Sequence, residues 1–183
     1  LAVLWLDAHA DFNSPETSPS GNMHGMPVAF LCGEPSLQPI LATRGFHPLP
    51  TSRVTLFGLR SIDRDERRSL KSRGITSIDM RLIDEFGVSA LLRDCLRKFD
   101  PEKTHLHVSF DLDLLDPAIA PGVGTPVMGG TSYREAHLIM ELLFDSGMVG
   151  SVDVVELNPF VDERGATAQL ATGMAASLFG RTI

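Results

Sequence analysis

Leu1-Ala-Val-Leu-Trp-Leu-Asp7-Ala-His9-Ala-Asp11-Phe-Asn13 decides how the rest of the chain is read. An apolar run ends abruptly in Asp-x-His-x-Asp. Apolar runs of this length read as strands buried on both faces, which belong to parallel sheets. Side chains alternate along a strand, so Asp7, His9 and Asp11 start out on one side. Fully extended, Asp7 to Asp11 would span about 13 Å, too far to share one ion. The chain must therefore curl soon after Asp7. That places the trio at the C-terminal end of a strand, where open α/β sheets hold their ligands. Two carboxylates and an imidazole converging there need a counter-charge, and a divalent cation supplies it.

Ser109-Phe-Asp111-Leu-Asp113 repeats this logic. Leu106, Val108, Phe110 and Leu112 fall on one face of a strand spanning His105 to Asp113. Asp111 and Asp113 fall on the other, at its C-terminal end. A breaker-rich loop follows, Asp116-Pro117 and then Pro121-Gly-Val-Gly-Thr125-Pro126. Two aspartates on one face repel unless a cation or a proton intervenes. An Asp at a strand end is also a common helix cap; two such clusters, each after an apolar strand, favour metal. Asp7, His9, Asp11, Asp111 and Asp113 form an oxygen-dominated set with one nitrogen, which suits Mn²⁺ or Mg²⁺ better than zinc. Four carboxylates suffice for two ions ~3.5–4 Å apart, as in two-metal hydrolases. His24, in Gly21-Asn22-Met-His24-Gly25, lies just downstream and suits a general acid or base. Glu156 closes the last apolar run and could anchor a cationic substrate through a bidentate bond. His105 and His107 share the face of Asp111 but lie roughly 13 Å or more upstream, and read as structural.

The remaining chain alternates strand and helix, the α/β signature. Strands are expected over Ala2–Asp7, Val54–Leu59, Thr76–Asp79, His105–Asp113 and Val149–Leu157. Helices are expected over Met26–Cys32, from an Asp63 cap to Arg73, over Glu85–Phe99, from a Ser132 capping box to Phe144, and over Ala166–Phe179. Ser14 to Asn22 is a polar loop of turn formers, and a structureless loop of this length is usually functional. With 183 residues, 43% hydrophobic and 21% charged, the chain reads as one globular domain. A net charge of −7 argues against nucleic acid and anionic membranes as partners. Two cysteines in unrelated contexts predict no disulfide framework and a reducing, cytoplasmic setting. No apolar run approaches the ~20 residues of a membrane span.

These motifs resemble the ureohydrolase family, the arginases, agmatinases and their relatives. Asp7-Ala-His9-Ala-Asp11, Ser109-Phe-Asp111-Leu-Asp113 and Glu156-Leu-Asn-Pro159 match the family's signatures in order. Asn13-Ser-Pro-Glu-Thr-Ser18-Pro-Ser20-Gly-Asn22-Met-His24-Gly-Met-Pro27 resembles the arginase branch. The resemblance implies a three-layer α/β/α fold and hydrolysis of L-arginine to L-ornithine and urea. It implies two Mn²⁺ ions bridged by Asp7 and Asp111, with Asp11 completing one shell and His9 and Asp113 the other. His24 would shuttle protons, with Asp113 on the same route, and Glu156 would hold the guanidinium. Asn13, Ser18, Ser20 and Asn22 would receive the α-carboxylate and Asp63 the α-amino group, with Glu66 and Thr125 assisting. Trimers or hexamers are the family's habit. The alternatives are another ureohydrolase, acting on agmatine, guanidinobutyrate or a formimidoyl amino acid, and a catalytically silent metal-binding fragment. Two departures stand out. Ser61 occupies a position where arginases often carry Asp. The family also supplies a further metal-binding His from a Gly-Gly-Asp-His motif upstream of the first strand, and no His precedes His9 here. On that reading the chain lacks the N-terminal part of the family domain and holds one ion more weakly than the other. Strands flanking Ala2–Asp7 would come from the missing part.

Overall fold

The computed structural model describes residues 1–37, 39 and 45–182. Five strands form one sheet: β1 (Ala2–Leu6), β2 (Val54–Leu59), β3 (Thr76–Asp79), β4 (Leu106–Asp111) and β5 (Val149–Val155). Their order is β3-β2-β1-β4-β5, and every neighbouring pair is parallel. Helices α1 (Pro27–Leu31), α2 (Arg64–Arg73), α3 (Met80–Phe86), α4 (Val88–Leu96), α5 (Tyr133–Asp145) and α6 (Ala166–Leu178) supply the outer layers.

Period-two alternation in β1 divides the core in two. Ala2, Leu4 and Leu6 pack with Ile83, Leu92, Ile139 and Met174 of α3 to α6. Val3 and Trp5 pack on the other face with Val28, Ala29 and Leu70 of α1 and α2. The sheet thus lies between two helical layers. All five residues of β1 are buried, which is why the run carries no alternation of polarity. The expected upstream neighbours of β1 are not required: β2 and β4 of this chain pair with it on both sides. The sheet's edges are β3 and β5.

This strand order positions the site. The chain steps from β1 to β2 and β3 on one side, then returns to β4 on the other. The switch point lies between β1 and β4, where side crevices open at the C-terminal ends of the strands. Asp7 follows β1 and Asp111 ends β4.

Local differences from the sequence reading have physical causes. The helix expected over Glu85–Phe99 is two helices, broken at Gly87, which has φ +81°. Asp79 ends β3 and also caps α3, its side chain accepting from the Leu82 N–H at 2.9 Å. Val88, Leu92 and Cys95 form the buried face of α4. β4 stops at Asp111, two residues early, because Leu112–Leu114 wind into a 3₁₀ turn. β5 stops at Val155, and Glu156 follows in a left-handed conformation, φ +66°. The capping boxes at Asp63–Glu66 and Ser132–Glu135 are present, and left-handed Gly74 closes α2. Cys32 and Cys95 are buried free thiols. Among the described residues no helix is long and apolar enough to cross a membrane.

Candidate metal centre and substrate cavity

A cavity of about 150 Å³ opens at the switch point. Its floor is acidic, with Asp7, Asp11 and Asp111 beside His9. Asn13, Ser18, Ser20 and Asp63 line one part of the wall, and His24, Thr125 and Glu156 also face it. Glu66, Gly25 and Ser61 complete the lining.

The curl after β1 is built by backbone. Asp11 adopts φ +50°, and its carbonyl accepts the Val28 and Ala29 N–H groups at the start of α1. The Asn13 N–H donates to the Gly25 carbonyl, closing the polar loop. Inside that loop the Ser18 hydroxyl accepts from the Gly21 N–H and the Ser20 hydroxyl from the Asn22 N–H. The two hydroxyls also stand 3.5 Å apart, so one donates to the other and the second retains its proton for a ligand.

The tight cluster is Asp7, His9 and Asp113, whose ligand atoms all lie within 4.8 Å of one another. His9 Nδ1 stands 2.9 Å from Asp113 Oδ2 and 3.4 Å from Asp7 Oδ1. Asp113 reaches this position through the 3₁₀ turn rather than through strand alternation. Its N–H donates to Asp111 Oδ1 at 2.8 Å, and its Oδ1 accepts the Ala8 N–H at 3.1 Å. Thr125 donates to Asp113 Oδ2 at 3.2 Å. Asp113 therefore closes the floor from behind, while Asp11 and Asp111 face the same cavity outside the tight trio. Among the described residues the cavity holds two imidazoles, those of His9 and His24.

Electrostatics follow from this crowding. Burial raises Asp7 to about 6, with the Asp113 charge adding to it. Burial, then the Asp7 charge, raises Asp11 to about 8. Burial, then the charges of Asp7 and Asp113, raises Asp111 to about 9. His9 goes the other way from an ordinary buried imidazole. Burial opposes its charge, but hydrogen bonds to Asp113 and Asp7 prevail and lift it to about 10. Asp113 feels burial most, yet its bond to His9 brings it below the usual carboxylate range. A cluster that binds protons this avidly is one in which a cation competes for the same oxygens. Hard oxygen donors with one imidazole fit a divalent ion of the Mn²⁺ or Mg²⁺ kind.

Several residues have roles the sequence did not reveal. The Trp5 indole N–H donates to Asp7 Oδ2 at 2.9 Å, so the aromatic of the core strand orients a floor carboxylate. Glu66 lines the cavity, but its oxygens accept the Phe12 and Asp63 N–H groups at 2.8 and 3.2 Å. It holds the β1 loop against the start of α2. Asp63 in turn accepts from Asn13 Nδ2 at 3.1 Å. Ser61 lines the cavity, where its N–H and that of Arg60 both donate to the Ala8 carbonyl. Asn22 is exposed and outside the lining. His105 and His107 bond to Ser151, and His107 also to Asp153, beside β5 and upstream of the cavity, which neither lines.

The chain was compared with known proteins. A family model described as the arginase family matches residues 1–180. The arginase of Brucella melitensis is 53% identical over 184 residues, covering 99% of this chain and 59% of that protein. The arginase of Agrobacterium fabrum is 51% identical, with 99% of this chain and 55% of that protein covered. The crystal structure of Bacillus subtilis arginase superposes with a TM-score of 0.92 at 42% identity, covering all of this chain and 63% of that one. The chain thus spans about three fifths of the length of these relatives. A Trypanosoma cruzi formiminoglutamase with Mn²⁺ shares the fold at 23% identity and a TM-score of 0.79.

Proposed function

This chain belongs to the arginase family, and from that premise we propose that it serves the dimanganese hydrolysis of L-arginine to L-ornithine and urea. The observation that carries this reading is the division of the cavity. An acidic floor sits beside Glu156, while Asn13, Ser18, Ser20 and Asp63 gather on the polar loop and the start of α2. A guanidinium at one end and an amino-acid head at the other match that division.

Asp7, His9, Asp11, Asp111 and Asp113 would hold the metal. When bound, two such ions lower the pKa of water enough to supply a nucleophile at neutral pH. Glu156 accepts the guanidinium N–H groups and fixes its plane. The loop amide and hydroxyls donate to the α-carboxylate, and Asp63 accepts from the α-ammonium. These contacts set the guanidinium carbon over the floor, converting a bimolecular encounter into an oriented one. The oxygen of water adds to the guanidinium carbon, the bond from that carbon to the chain nitrogen then breaks, and the nitrogen leaves as the ornithine amine with a proton that came from the water, while urea keeps the oxygen. Asp113 and then His24 carry the proton it needs, His24 from its exposed place on the 3₁₀ turn Met23–Gly25. The chain contributes to one arginase-like catalytic domain, in a cytoplasmic homo-oligomer of the trimeric or hexameric kind.

The test is binding and urea release with L-arginine and agmatine on the Mn²⁺-loaded protein. A charge-assisted contact to an ionised group is worth roughly 1.5–3 kcal/mol, so L-arginine should be preferred by about 10-fold or more. Equal handling of both substrates would remove the arginase assignment and leave the wider ureohydrolase class. Failure of the folded chain to take up Mn²⁺ would remove the metal reading.

A further inference from the structure

Arg60 follows β2 without joining any helix, and its guanidinium is spent on backbone. Nη2 donates to the carbonyls of Asp113 at 2.5 Å and Val127 at 2.8 Å, with Leu115 at 3.4 Å. Nη1 reaches the carbonyls of Gly58 and Leu114, both at 3.4 Å, and Nε reaches Val127 at 3.2 Å. The Arg60 N–H donates to the Ala8 carbonyl at 2.9 Å. One residue therefore ties together the three segments that meet at the floor: the loop of Asp7 and His9, the turn of Asp113, and the approach to Thr125. The carbonyls it gathers from Asp113 and Leu115 lie where the 3₁₀ turn ends, where a cation is also favoured by the local dipole, and the Leu114 carbonyl between them also accepts from Thr131.

We propose that Arg60 is the positioning residue of the metal cluster: it touches neither metal nor substrate, and it fixes the Asp113 carboxylate against His9. The proposal rests on the metal reading above. Asp113 is grasped from two sides. Its carboxylate faces Ala8, His9 and Thr125, while its carbonyl is held by Arg60. The planar fork can serve several acceptors at fixed angles, which a lysine ammonium on a flexible stem does not reproduce. Loss of the fork leaves the turn free to shift, and the Asp113 oxygens shift with it. Gly130 marks the tightness of the arrangement, because a Cβ there would stand 2.7 Å from Arg60 Nη2.

The experiment compares wild type, Arg60→Lys, Arg60→Gln and a core truncation in a helix that gives no residue to the cavity. Ile139→Val in α5 or Leu92→Ala in α4 is chosen to match the melting temperature of Arg60→Lys. Mn²⁺ affinity is read by calorimetry well below each melting point, and Co²⁺ absorption reports the ligand geometry. Arg60→Lys and Arg60→Gln should bind Mn²⁺ about 10-fold or more weakly, the range for residues that orient ligands, with an altered Co²⁺ spectrum. The matched core variant should keep wild-type affinity and spectrum. Equal Mn²⁺ affinity in Arg60→Lys, Arg60→Gln and wild type would overturn the role of Arg60 and leave the metal reading intact. Equal losses in Arg60→Lys and the core variant would reduce Arg60 to general stability. Absence of Mn²⁺ uptake by wild type would overturn both readings at once.

Discussion

Single carboxylates at the floor carry opposing loads, and their proton affinities make a sharp prediction. Asp7, Asp11, Asp111 and His9 are raised to about 6, 8, 9 and 10. A ligand must be deprotonated to bind metal, so Mn²⁺ displaces protons from these groups. Affinity should therefore rise steeply from pH 6 to pH 9, and calorimetry in buffers of different ionisation enthalpy should register proton release at pH 7. An affinity indifferent to pH would contradict the cluster's electrostatics. Asp111→Asn removes one of the repelling charges and a ligand together. It should weaken Mn²⁺ binding by more than the 10–100-fold typical of residues that only orient ligands. In the polar loop, Ser20→Ala should raise KM for L-arginine several-fold, leave kcat nearly unchanged and affect agmatine little. Steady-state kinetics with the two substrates separates these outcomes, and an equal effect on both would take Ser20 off the α-carboxylate. Side-chain chemistry at these positions was legible in the sequence because the spacing Asp-x-His-x-Asp and Asp-x-Asp is local. The commitment of Glu66 to the Phe12 N–H group was not legible, since Phe12 lies 54 positions away in sequence.

Elements meet at the floor through a few backbone positions, and Gly58 is the most constrained of them. It sits at the register shift between Phe57 and Leu59 in β2, with φ +100°. A Cβ there would collide with the Leu114 side chain and stand 3.2 Å from the Asp7 carbonyl. The shift also turns Leu59 to the same core face as Leu56, which strict alternation would not allow. Gly58→Ala should thus cost about 1–3 kcal/mol for the strained backbone alone, plus the displacement of Leu114 under the Asp113 turn. Gly74, φ +64° with nothing within 4 Å of its missing Cβ, provides the comparison. Gly74→Ala should cost about 1–2 kcal/mol for the left-handed conformation. Denaturant midpoints should rank Gly58→Ala as the more damaging, and the reverse order would show that Leu114 yields freely. Most strands and helices could be read from apolar runs and caps. The break at Gly87 could not, because a glycine inside an amphipathic pattern is compatible with a continuous helix. What ends that helix is the positive φ, which depends on how α3 and α4 each pack beneath the sheet.

Over the whole molecule, the acidic floor links stability to pH and metal. Asp7, Asp11 and Asp111 have folded values above their ordinary 3.8. Each favours folding fully below the ordinary value, and that contribution is lost as pH rises through about 6, 8 and 9 in turn. His9 acts in the same direction, from its ordinary 6.5 up through about 10. Asp113, held low, contributes above its ordinary value and loses its contribution only in acid. Without added metal, the floor should therefore weaken the fold progressively from pH 6 to pH 9. On the proposed metal reading Mn²⁺ would bind the folded state and neutralise the same repulsion, so it should raise Tm, and raise it more at pH 8.5 than at pH 6. EDTA should reverse the gain. Calorimetric scans at the two pH values check the sign, and a larger Mn²⁺ effect at pH 6 would contradict it.

The sequence by itself determined the α/β alternation, the two acidic strand ends and the polar loop, because each is written in neighbouring residues whose period or spacing has one physical reading. It also carried the family resemblance that the comparisons bear out. Only the tertiary structure decided that β1 lies at the centre, flanked by β2 and β4, and that the chain's reversal between them opens the cavity. Asp113 reaches His9 through a 3₁₀ turn, and Glu156 turns inward from a left-handed residue; neither follows from strand alternation. Arg60 holds three segments that each lie more than 50 positions from it along the chain, through bonds to backbone carbonyls that every residue type possesses. Such bonds leave no mark on the identity of their acceptors, which is why the acidic residues of the floor could be read in advance and the residue that gathers these carbonyls could not.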